Sequence, residues 1–226
     1  MTIKRPSFTD QEALDFHAKP TPGKISMMPT KPMQTQRDLS LAYSPGVAVP
    51  VEAIGKDEDL AYDYTAKGNT VAVISNGTAI LGLGDLGAMA SKPDMESKSV
   101  LFKRFADIDS FDVEVQTKDV DEFCTVVRNI GATWGGINLE DIASPEAFII
   151  EQRLRDALDI PVFHADQHGT AIIAAAGIIN ACAITGRRLE DLKVAVSGAG
   201  AAGLSVAGLI RHLGVKAENI LMADSA

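Results

Sequence analysis

Two cysteines, Cys124 and Cys182, are too few for a disulfide framework. Each sits among apolar neighbours in a predicted helix, so buried free thiols in a reducing cytoplasm are the simplest expectation. Basic residues are scarce relative to acids: 21 Lys and Arg against 30 Asp and Glu give a formal net charge of −9. No basic stripe offsets that balance, and a nucleic-acid partner is not expected. A long hydrophobic run is also missing. The uncharged stretch 169–186 comes nearest, but it has only 18 residues, is rich in Ala and Gly, and contains Asn180. A buried helix is expected there, not a membrane span. The first residues, Met1 to Pro6, have no apolar run behind them, so no secretory signal is expected. There are no internal repeats and no low-complexity segment.

What remains is an ordinary globular composition, 46% hydrophobic and 23% charged in 226 residues, long enough for one or two domains with a sizeable core. Thr9-Asp10-Gln11-Glu12 is a capping-box pattern that opens a short helix toward His17. A Pro-rich connector over 20–32 follows, and Pro45-Gly46 marks a turn and a helix start. Residues 71–75 and 79–81 predict short strands around an Asn76-Gly77 hairpin turn. A helix is predicted over 93–106, with Val100, Leu101 and Phe105 near helical spacing. Strands are predicted at 112–115, 137–139 and 161–163, and helices at 120–130 and after Ser144-Pro145, with Ser as cap and Pro in the first position. Strand and helix alternate, which makes the fold class α/β.

The densest signal is the strand 194–196 running into Gly198-x-Gly200-x-x-Gly203 and an apolar helix. Gly198 permits the tight turn, Gly200 lets backbone approach a pyrophosphate, and Gly203 lets helix and strand pack closely. A second strand over 219–223 ends at Asp224, where an acid commonly holds an adenosine ribose. Strand, turn, helix, strand and acid in this order predict dinucleotide binding. Gly82-x-Gly84-x-x-Gly87 satisfies the same pattern, but residues 88–93 look too short and broken for a phosphate-facing helix. A turn lining the active site is the better expectation there.

Carboxylates gather at two predicted strand ends: Glu140 and Asp141 after 136–139, and Asp166 after 162–163. Ends of neighbouring parallel strands share a crevice, and three carboxylates suit Mg²⁺ or Mn²⁺. Spacing alone favours the plainer alternative, solvated helix-entry acids and a cap. His164 and His168 stand at i and i+4, yet their segment leaves a strand and turns, and a protease-type Glu after the first His is absent; structural histidines are expected. Tyr43 and Lys98 are chemically anonymous on spacing. Either becomes an acid or base if buried beside a metal.

Taken together, several segments resemble the short bacterial class of malic enzymes. They are residues 29–39, 41–48, 82–87, 96–103, 137–142 and 162–170, with 197–203 completing the order. The resemblance covers essentially the whole chain. It implies an N-terminal α/β malic-enzyme domain over 1–166, followed by the start of a Rossmann-type NAD(P)-binding domain over 167–226. The implied activity is that of an oxidoreductase: oxidative decarboxylation of L-malate to pyruvate and CO2 with reduction of NAD or NADP. Glu140, Asp141 and Asp166 match the family's ligands to Mg²⁺ or Mn²⁺, which acidifies the malate hydroxyl and stabilises the enolate. Lys98 matches the proposed general base, and Tyr43 the proposed acid at C3. Gly198, Gly200, Gly203 and Asp224 match the cofactor site. A cytoplasmic homodimer or larger homo-oligomer, with no membrane partner, is implied as well. A malolactic-type decarboxylase and a non-catalytic metal-binding or dimerising fragment are the alternatives.

The chain departs from the family pattern in three ways. Ala165 stands where an acid usually lies beside the catalytic lysine, which predicts retained metal binding with impaired catalysis. Asp94 and Ser97 replace an apolar residue and Gly next to Lys98; Asp94 is expected at a helix N-terminus, and Val49 reads as a surface change. The sequence stops after strand, helix and strand of the cofactor domain. Residues 1–166 are therefore expected to fold, with the rest marginal and with Leu204, Leu209 and Ile210 partly uncovered.

Overall fold

The structure, a computed structural model, describes residues 8–80 and 82–224. Four helices come first: α1 (Asp10–Ala18), α2 (Gln36–Ala42), α3 (Ala48–Lys56) and the single turn α4 (Ala61–Tyr64). α1 opens on the expected capping box, Thr9 with Glu12, and α2 on a second one, Thr35 with Asp38. None of the four helices buries a residue.

Next, β1 (Thr70–Ser75), α5 (Ala88–Ala106), β2 (Asp109–Glu114), α6 (Val120–Gly131), β3 (Gly136–Leu139), α7 (Glu146–Ala157) and β4 (Val162–His164) alternate. The four strands form one parallel sheet in the order β2-β1-β3-β4. β1 is buried at five of its six positions and β3 at all four, which is why both read as unbroken apolar runs. Ala72, Ile74, Ile137 and Leu139 pack with Phe123 and Val127 of α6 and Ile150 and Leu154 of α7 to form the core.

Several expectations change here. The Asn76-Gly77 hairpin does not form, because parallel partners β2 and β3 occupy both edges of β1. Instead Gly77, at φ +66°, turns the chain away from the sheet, and Ile80 makes only an isolated bridge to Gly84; Leu81 lies outside the described residues. α5 starts directly after Gly87, five residues before the expected Pro93, and continues through that proline for 19 residues. The objection that 88–93 is too broken for a helix is therefore overturned. The buried face of α5 is Ala88, Ser91, Met95 and Ser99, while Leu101 and Phe105 are exposed. Small residues allow the helix close to the sheet, where the Ser99 and Ser110 hydroxyls are 3.3 Å apart. Asp94 sits in the second turn of α5, not at its N-terminus. Ser144 does not cap α7; Pro145 takes the cap position. Cys182 is buried as expected, whereas Cys124 is only half-buried.

A π-helical turn over Ala165–Gly169 leads from β4 into α8 (Thr170–Thr185). Then β5 (Val194–Ser197), α9 (Ala201–His212) and β6 (Ile220–Ala223) form a parallel two-stranded sheet of their own. In this pair half-buried residues alternate with exposed ones. Residues 165–185 are long and apolar enough, by length and composition, to cross a membrane. The expected burial of α8 does not hold: only Ala171, Ala175 and Cys182 are buried, and Ile172, Ile173, Ile179 and Ile184 are exposed. An all-round apolar sequence does not say which face is covered, and α9 with the preceding turn covers one. Leu204 is exposed, but Ile210, expected to be partly uncovered, is fully buried.

Candidate active site

β3 and β4 are parallel neighbours with Leu139 opposite His164, so both strands release their chains into one crevice. Glu140 and Asp141 follow the first strand, and Asp166 sits in the π-turn after the second. Oxygens of these three carboxylates lie within 4.8 Å of one another. Asp141 adopts φ +52°, a left-handed conformation that Asp tolerates better than most residues, and its backbone N–H donates to Asp166 Oδ2 at 2.9 Å. The turn after β1 closes against this loop. Ala79 N–H donates to Asp141 O at 3.0 Å, and Ala143 N–H donates to Thr78 Oγ1 at 2.9 Å.

Lys98 reaches in from α5, with Nζ 3.0 Å from Glu140 Oε1. The other oxygen of Glu140 accepts from Asn138 Nδ2 at 2.8 Å. Asn138 was missed in the sequence. Its signal was there, because residues two apart on a strand share a face and Asn138 is a buried amide in an otherwise apolar strand.

Burial pushes the Glu140 carboxyl up to about 7, Asp166 adds to the rise, and Lys98 and Asn138 pull against it. Asp141 is pushed up to about 8 by burial, then by Asp166, Asp94 and Glu140. Buried beside one another and a third carboxylate, Glu140 and Asp141 resist ionising without a compensating charge. Asp141 Oδ2 is buried and accepts no hydrogen bond among the described residues. An all-oxygen set with one orphaned oxygen fits Mg²⁺ or Mn²⁺.

Around this centre the remaining expected residues divide. Asp94 lies beside Asp141 and adds negative charge where relatives were expected to carry an apolar residue. Ala165 opens the π-turn and contributes no acid. His168 pairs through Nε2 with buried Glu151 of α7 at 2.6 Å, a structural contact. His164 is buried, which holds its imidazole pKa below the ordinary value. Tyr43, at the C-terminal end of α2, is 77% exposed, and its hydroxyl makes no hydrogen bond among the described residues. Among the described residues no hydrogen bond ties Tyr43 to the acidic centre.

The glycine turn after β5 has the geometry its sequence predicts. Gly198 sits at φ +103°, and a Cβ on Gly203 would stand 2.1 Å from Gly198 O. Gly200 opens α9, and the nearest atom to a Cβ there would be Ser144 Oγ, 4.0 Å away. Asp224 accepts from Ala199 N–H at 2.5 Å, so the acid at the end of β6 folds back on the turn. Free N–H groups at the start of α9 and open space over Gly200 suit a phosphate.

Residues 22–119 match the malic enzyme N-terminal domain, and residues 167–224 match the malic enzyme NAD-binding domain. The chain is 65% identical over 219 residues to an NADP-dependent malic enzyme of Rhizobium meliloti, covering 97% of this chain and 29% of that protein. It is 54% identical over 215 residues to an NAD-dependent malic enzyme of the same organism, covering 95% of this chain and 28% of the relative. The solved malic enzyme from Pyrococcus horikoshii superposes with a TM-score of 0.90 at 45% identity, over 96% of this chain and 50% of that one. The chain thus spans under a third of these curated relatives and half of the solved one. With two consecutive domain matches in order and identity this high, the chain belongs to the malic enzyme family.

Proposed function

We propose that the protein carrying this chain converts L-malate to pyruvate and CO2 while reducing NAD⁺ or NADP⁺, and that Glu140, Asp141 and Asp166 hold Mg²⁺ or Mn²⁺ for that reaction. The observation that carries the reading is the Lys98 amine 3.0 Å from Glu140, at the rim of three clustered carboxylates. A divalent cation there supplies Lewis-acid polarisation of a hydroxyl or carboxylate oxygen. The chain's own residues do the rest. Lys98 is partly open to solvent beside Glu140, which Asn138 holds in place, and in its neutral form Nζ would take the proton of a substrate hydroxyl. Gly198, Gly200, Gly203 and Asp224 form the turn proposed to bind the dinucleotide. Assembly as a homo-oligomer belongs to the same reading, supported by the exposed apolar residues Leu39, Leu41, Val49 and Val51 around Tyr43.

A second reading, a metal-binding chain without turnover, is favoured by Ala165 and by the exposed Tyr43. A malate-dependent assay with Mn²⁺ and each cofactor, on this chain and on a longer protein containing it, separates the readings. Free NADH or NADPH that disappears in Lys98→Ala supports the malic enzyme reaction. Lactate without free reduced cofactor points to malolactic chemistry. Mn²⁺ binding without turnover, restored by Ala165→Asp in the longer protein, would trace the defect to the missing acid.

A further inference from the structure

His164 is the last residue of β4, paired across the sheet with Leu139, the neighbour of Glu140. It is 0% exposed, and neither ring nitrogen has a hydrogen-bond partner among the described residues. A buried imidazole left in that state loses its hydration and gains nothing in return. An aliphatic residue would fill the end of the strand without that penalty. The ring is also aimed: Nδ1 lies 3.9 Å from Asp166 Oδ2. That gap closes to a hydrogen bond with a shift of roughly 1 Å.

We propose that His164 is a positioning residue of the divalent-cation site, donating from Nδ1 to Asp166 and fixing the orientation of that carboxylate. The inference rests on the metal reading above. A neutral imidazole offers one donor and one acceptor, and Asp166 Oδ2 requires the donor. Asp166 Oδ2 then accepts from both His164 and the Asp141 N–H, which stands at 2.9 Å, and Oδ1 is left for the cation. Asp166 is partly exposed and its carboxylate has one backbone tether among the described residues, so without the imidazole it turns more freely. Outer partners that orient a metal ligand typically change affinity by about 10–100-fold when removed.

The geometry names one nitrogen, and the test uses that. Asn carries an amide N–H near the position of Nδ1, whereas Gln carries one near Nε2. Mn²⁺ titration followed by electron paramagnetic resonance on wild type, His164→Asn and His164→Gln, with native circular dichroism required, reads the difference. Wild type is expected to bind one Mn²⁺, Asn to stay within about threefold, and Gln to weaken by about 10–100-fold. Equal affinities in all three overturn the positioning role and leave the metal reading standing. Equal weakening in both variants also overturns it, since the nitrogen would not matter. A wild type that binds no Mn²⁺ sinks the metal reading and this inference with it. If a variant does not fold, ¹⁵N NMR of the Mg²⁺-saturated wild type decides: an Nδ1–H tautomer is expected, and an Nε2–H tautomer contradicts the proposal.

Discussion

β1 and β5 are both short apolar strands followed by a glycine-rich turn, a helix and a parallel strand, yet β1 is almost wholly buried and β5 is half exposed. β1 has a strand on each side and helices packed over the sheet, while among the described residues β5 pairs only with β6. Their glycine turns differ as well. Gly82, Gly84 and Gly87 all have positive φ, from +72° to +86°, with open space where a Cβ would go. In the second turn, Gly198 has the positive φ, Gly203 is needed for close packing, and Gly200 is free. One sequence pattern thus encodes two geometries. In the first, glycine serves backbone conformation around a loop that closes on the acidic centre. In the second, it serves approach, of helix to strand and of a phosphate to backbone.

The contrast is sharpest in the core. Phe123→Ala, at a fully buried position under the four-stranded sheet, is expected to cost about 3–5 kcal/mol in chemical denaturation. Leu221→Ala on β6, where the side chain is 71% exposed, should stay within about 0.5 kcal/mol. Similar costs at the two sites would break the distinction between the sheets. The glycine turns come next. Gly203→Ala drives a Cβ into Gly198 O and should cost about 2–3 kcal/mol, seen as faster amide exchange in 194–223. Gly82→Ala meets no atom and bears only the φ penalty, about 1 kcal/mol. The reverse order would mean the two turns had been misassigned.

The smallest effect is one of pH. Burial pushes Glu114 on β2 up to about 7, with Asp112 adding to the rise and Lys92 opposing it. A carboxyl whose folded pKa is raised binds its proton more tightly in the native state. Its contribution is therefore intact below the ordinary 4.5 and is lost as pH climbs to about 7. Glu114→Gln should flatten that decline, gaining on the order of 1 kcal/mol relative to wild type at pH 7.5 and nothing at pH 4.5, after discounting for solvent contact. A gain of equal size at both pH values would reject the assignment.

Much of this was legible in the sequence, and the failures share a cause. Buried parallel strands announce themselves as apolar runs, and the fingerprint at 198–203 carried its own context of strand, helix and acid. The capping box at Thr9 was readable because its partners are three residues apart. Coverage was not readable. α8 is apolar all round, and only the structure says that Ile172 and Ile173 face outward. α5 was misread at its start and on its contact face, which is Ala88, Ser91, Met95 and Ser99 where the eye follows Val100, Leu101 and Phe105. The proposed metal ligands were visible only as acids at strand ends, and spacing alone favoured solvated ones. Strand order brings the acids together, because β3 and β4 must be neighbours for Asp166 to meet Asp141, and no local pattern contains that fact.

On the proposed function, the acids at the ends of β3 and β4 hold a divalent cation whether or not the glycine turn after β5 is intact. Calorimetric titration of Mn²⁺ into the wild type, Asp166→Asn and Gly203→Ala tests it directly. One site per chain in wild type and Gly203→Ala, weakened by about 100-fold or lost in Asp166→Asn, is the predicted result. Unchanged affinity in Asp166→Asn, or no binding by the wild type, would contradict it.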